Sequence, residues 1–110
     1  MLALYGHPFS SYTWKAQIAL NANATPHEFR MLGGEAPEHD AFVSAASPLG
    51  KFPVLRDQGA VVFEATAIIE HLHLHHPGPA PLLPADPAKA AQVRMLDRVF
   101  DNYVMHPMQE

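Results

Sequence analysis

Between Pro77 and Pro87 the chain carries Pro77, Pro79, Pro81, Pro84 and Pro87, with Gly78 among them. Each proline locks φ and removes the N–H that a helix or a central strand would use, so this stretch reads as a connection between folded parts. Whatever folds must lie on one side of it or the other. The division expected is a compact domain over 1–78, a proline-rich linker over 79–86, and the start of a second unit over 87–110. Past the linker, Asp86-Pro87 is a cap followed by a first-turn proline. Val93, Leu96, Phe100, Tyr103 and Val104 then recur at spacings of three and four, the stripe of an amphipathic helix. That stripe needs partner helices, and the residues up to Glu110, shortly after Pro107, do not supply them. The expectation is the opening helix of an incomplete all-helical domain, in a fragment or a truncated gene.

Within 1–78, Leu2 to Tyr5 is a short apolar run stopped by Gly6 and Pro8, which suits a buried central strand. Ser10 or Ser11 caps a mostly apolar helix over Thr13 to Asn21. His27 to Leu32 alternates as a second strand and ends at Gly33-Gly34, so a parallel βαβ unit opens the chain. A weak helix follows from Glu38 to Ala46, then a strand entered at Pro53, where the missing N–H is tolerated. Asp57-Gln58-Gly59 turns into Val61-Val62-Phe63 as a hairpin, and a helix begins at Glu64 with Ala67, Ile68 and Leu72 on one side. The order β-α-β-α-β-β-α is the succession of an α/β thioredoxin-like domain.

Composition removes several functions. Seven Lys and Arg, scattered in a chain of net charge −4, give no basic footprint for nucleic acid or an anionic membrane. The start lacks a secretory pattern and no apolar run reaches a membrane span, so a cytoplasmic location is expected. With no cysteine, disulfides, thiolate metal sites and redox cycles through the protein's own thiols are excluded.

Four segments, in this order, resemble cytosolic glutathione S-transferases. HPFSSYTWKAQIAL resembles the first turn and helix of serine-type, zeta- or theta-like classes. SPLGKFPVL resembles the loop before the third strand, with Ser47 for the usual Asn. FEATAIIEHL resembles the opening of the third helix, and LLPADPAKAAQVRMLDRVFDNYVMHPMQ is similar to the linker and fourth helix of bacterial members. The resemblance implies a detoxifying enzyme that binds reduced glutathione as co-substrate and stabilises its thiolate for attack on an electrophilic small molecule. It also implies a homodimer formed through the third and fourth helices. Glutathione-dependent isomerisation and a noncatalytic binding module are the other readings.

By resemblance, the catalytic hydroxyl is Ser10, with Ser11 as the alternative and Tyr12 as a further contributor. A helix N-terminus favours a thiolate over a thiol, although Ser10 is equally a plain helix cap. A hydroxyl there cannot form a mixed disulfide, which excludes thiol-disulfide exchange. Phe52-Pro53 is a candidate cis bond at which Phe52 would pair with the cysteinyl backbone of glutathione. Lys51 would reach the glycyl carboxylate, while Glu64 and Ala65 would meet the γ-glutamyl end. Here the sequence departs from the family pattern, because Ala65 stands where a serine hydroxyl is usual, with only Thr66 nearby to compensate. His71, His73, His75 and His76 suggest a metal through the one-turn spacing of His71 and His75, but the tract lacks the regular spacing, carboxylate company and concave setting of a metal site, and no metal is expected. Asp97 and Asp101 read as solvated charges.

Overall fold

The computed structural model describes residues 2–47 and 49–105. Pro48, Pro107 and the rest of 106–110 lie outside them. Strand β1 (Leu2–Gly6) is buried along its whole length. It sits inside a four-stranded sheet of order β2-β1-β3-β4, in which β2 (Glu28–Met31) runs parallel to β1, β3 (Val54–Asp57) antiparallel to β1, and β4 (Ala60–Phe63) antiparallel to β3. Helices α1 (Ser11–Ala22), α2 (Pro37–Ala46), α3 (Ala65–His75) and α4 (Pro87–Val99) complete the order, and α4 runs into a π-helical turn over Phe100–Met105.

Side chains alternate across a strand, and β1 divides the core accordingly. Leu2 and Leu4 pack with Leu20, Leu55, Ile68 and Leu72 under α1 and α3, whereas Ala3 and Tyr5 pack with Val43 and Val54 under α2. The expected elements are all present, with ends shifted by one or two residues. α1 starts at Ser11 because Ser10 Oγ accepts from the Thr13 N–H at 3.2 Å, the bond of an N-cap. Gly6 has no substitute before that helix, since a Cβ there would fall inside the Thr13 side chain.

The linker is pinned. Asn23, at the C-terminal end of α1, exchanges two hydrogen bonds with the Ala80 backbone at 2.7 and 2.8 Å, and Leu83 is buried. Beyond it, α4 buries only Ala90, and the stripe of Val93, Leu96, Phe100, Tyr103 and Val104 is exposed. Among the described residues no helix is long and apolar enough to cross a membrane.

Candidate functional site

The loop before β3, the start of α3 and the end of α4 converge on one cleft of about 230 Å³. Ser47, buried at the end of α2, accepts from the Lys51 N–H at 3.2 Å and fixes the loop. That loop places Lys51, Phe52 and Pro53 on one wall, and the Phe52-Pro53 bond is cis. Across from it stand Glu64 and Ala65. Glu64 has φ of 76°, an uncommon value for a residue with a side chain, and its C=O takes the first helical bond of α3 from Ile68. The first amides of a helix have no partner inside it, and no side chain caps those of α3. Their donors and the positive end of the helix dipole are features that suit an anion.

The floor comes from α1 and α4. Tyr12 lines the cleft and its hydroxyl donates to the Asp101 backbone C=O at 2.9 Å. Burial first, then the Asp101 and Glu64 carboxylates, push the Tyr12 phenol up, so it stays a protonated donor at neutral pH. Arg98, Asp101 and Asn102 reach the same cleft from the end of α4 and the π-helical turn.

Asp97 and Asp101 are not solvated charges; this expectation fails. Asp101 is 6% exposed. Lys15 of α1 bonds Asp97 and lies 2.8 Å from Asp101 Oδ2, Arg98 reaches the same oxygen at 2.8 Å, and Thr66 donates to both carboxylates. Burial alone would raise the Asp97 carboxyl, but hydrogen bonds from Lys15 and Thr66, helped by the Lys15 and Arg98 charges, carry it below its ordinary 3.8. A depressed folded pKa contributes stability that is complete above 3.8 and lost as pH falls through the folded value. Urea midpoints measured below pH 3.8 should therefore fall less steeply with acid in Asp97→Asn than in the unmodified protein.

Of the residues singled out from sequence, Lys51, Phe52, Pro53, Glu64 and Ala65 come together on the cleft. Ser10 and Ser11 stand beside it but not in its lining: Ser10 caps α1, and Ser11 Oγ is buried without a partner. Thr66 cannot compensate for Ala65, because its hydroxyl accepts from Lys15 and donates to the aspartates. Sequence reasoning missed Arg98 and Asn102, for which no local signal exists. The imidazoles also pair differently: His71 and His76, not His71 and His75, share a carboxylate, and Asp57 supplies it.

A family model described as the glutathione S-transferase N-terminal domain matches residues 4–80. The chain belongs to the glutathione S-transferase family. A Pseudomonas putida protein named glutathione S-transferase is 34% identical over 108 residues, which cover 97% of this chain and 47% of that protein. A bacterial maleylpyruvate isomerase described as a zeta-class glutathione S-transferase, solved in its holo form, is 34% identical with a TM-score of 0.79 over 98% of this chain and 50% of its own. A glutathione S-transferase from Methylobacillus flagellatus, solved with glutathione bound, is 26% identical with a TM-score of 0.79, covering 92% of this chain and 49% of that one. The chain thus spans about half the length of the curated relatives it matches, and in this family the four-stranded mixed sheet with its helices is a thioredoxin-like N-terminal domain.

Proposed function

We propose that this glutathione S-transferase holds reduced glutathione in the cleft between the Lys51–Pro53 loop and the start of α3, and uses it as a thiolate against an electrophilic small molecule. The observation that carries the reading is the uncapped first turn of α3, with Glu64 and Ala65 facing Lys51 and Phe52 across one cleft. The γ-glutamyl carboxylate takes the α3 amides, and its ammonium takes Glu64. Lys51 meets the glycyl carboxylate, and the Phe52 backbone takes the cysteinyl amide as an added strand would. The sulfur then lies toward the α1 N-terminus, where Ser10, or Ser11, donates to it. A thiol near pKa 8.5 lowered by about two units needs roughly 3 kcal/mol. One charge-assisted bond of about 1.5–3 kcal/mol and a dipole contribution of ~0.3–1 reach that value, so no separate base is required.

Glutathione-dependent isomerisation is the second reading, favoured by the zeta-class relative, and would use the same cleft. The domain division at 78 and 86, which rests on the proline run, a cytoplasmic location, which rests on the absence of a secretory pattern, and a homodimer through α3 and α4, which rests on family resemblance, belong to the same proposal.

Calorimetric titration with reduced glutathione tests the cleft. Ala65→Ser restores a hydroxyl at the α3 N-terminus, and a hydrogen bond to a charged group predicts affinity about tenfold tighter. An unchanged dissociation constant would put the γ-glutamyl end elsewhere, and no binding by either protein would leave only a noncatalytic fold.

A further inference from the structure

At the end of β3 away from Pro53, two imidazoles converge on one carboxylate. His71 Nε2 lies 2.9 Å and His76 Nε2 2.8 Å from Asp57 Oδ2. One ligand atom from each of the three residues falls within 4.8 Å of the others. Helix periodicity does not produce this: at ~100° per residue, side chains five apart point about 140° away from each other. The chain leaves α3 at His76, with φ −133° and ψ 56°, and that turn brings its ring back beside His71. Asp57 is held from the other side, as the last residue of β3 before a tight turn in which Gln58 has φ of 54°.

We propose that Asp57, His71 and His76 form a site for a divalent transition metal of the zinc class. Two imidazole nitrogens and one carboxylate oxygen are the donor set of a three-ligand zinc site whose fourth position is water. Magnesium and calcium would call for oxygen donors throughout. Ligand atoms held tetrahedrally at ~2.0–2.1 Å from the ion sit roughly 3.3 Å apart, so the two short edges here open by about half an ångström, a side-chain adjustment. On binding, each Nε2–H proton is given up to solvent or reappears at Nδ1, and the freed lone pair goes to the metal. The side chains of His71, His76 and Asp57 are 15%, 32% and 16% exposed, shielded enough to hold an ion yet reachable from solvent. His75, whose ring lies 4.6 Å from that of His71, is not among the three. The metal would clamp the β3–β4 turn to the end of α3, remote from the glutathione cleft, and would act on stability.

The test is calorimetric titration of chelator-stripped, tag-free protein with zinc at neutral pH, without glutathione, whose thiol itself binds zinc. One saturable site is expected, together with a thermal midpoint raised by about 4 °C under excess zinc. Cobalt in place of zinc should give the visible bands of a tetrahedral ion. His76→Gln, at the most exposed of the three, should weaken zinc binding more than about tenfold while its circular dichroism without metal stays unchanged. The pair His73→Gln and His75→Gln should leave binding intact. No saturable uptake by the unmodified protein would overturn the proposal, as would uptake that survives His76→Gln and disappears with His73 and His75.

Discussion

Lys15→Met is expected to cost the fold about 3 kcal/mol, read as a lowered urea midpoint. The magnitude comes from what is left behind. Lys15 bonds Asp97 and Asp101 and donates to the Thr66 hydroxyl at 3.1 Å, and its own side chain is 18% exposed. Without it two neighbouring carboxylates, one on a residue only 6% exposed, share only Arg98 and Thr66. Removing one partner of a shielded charge pair is far costlier than the pair's net worth, since the remaining charge stays desolvated. Adding Asp97→Asn to Lys15→Met should recover part of the loss, and that coupling is the signature of a shared network. A cost under about 0.5 kcal/mol would instead class these contacts with ordinary surface ion pairs.

Ser10→Ala should raise the pKa of bound glutathione's thiol by about one to two units and slow thiolate-dependent turnover roughly tenfold to a hundredfold, the loss of one hydrogen bond to a charged sulfur. The same change removes the acceptor for the Thr13 N–H, so a stability loss of about 1 kcal/mol accompanies it. Ser10→Gly separates the two roles: glycine at an N-cap costs only a few tenths of a kcal/mol and has no side-chain donor to offer. Ultraviolet difference spectra across pH read the thiolate directly. A thiolate band kept in Ser10→Gly would make Ser10 a cap alone and move the search to Ser11 or Tyr12, of which Tyr12 lines the cleft.

What the sequence disclosed was local. Gly6, Pro8, Gly33-Gly34 and the proline run punctuate the chain, and apolar periodicity fills the gaps, so the order of elements could be read directly. The Lys51-to-Pro53 loop and the Glu64-Ala65 corner were also legible, each through a short motif. What stayed hidden depends on contacts between distant residues. Lys15 and Asp101 are 86 positions apart, and nothing in either neighbourhood announces that they meet. Asp57 and His71 lie 14 apart on different elements, so the histidines seemed to lack a carboxylate. Thr66 looked available for ligand because its neighbours along the chain say nothing of the aspartates above it.

The way α4 is fastened bears on how the protein breathes. Between α4 and the helices beneath it, the hold is largely a knot of charges, with Ala90 the only residue of that helix fully buried. Elements with few buried apolar contacts open at a lower free energy than the core they rest on, and ionic strength weakens a charged fastening more than an oily one. Any opening of α4 would carry Arg98 away from the cleft. The side of the cleft that Arg98 supplies is therefore held by contacts that salt weakens.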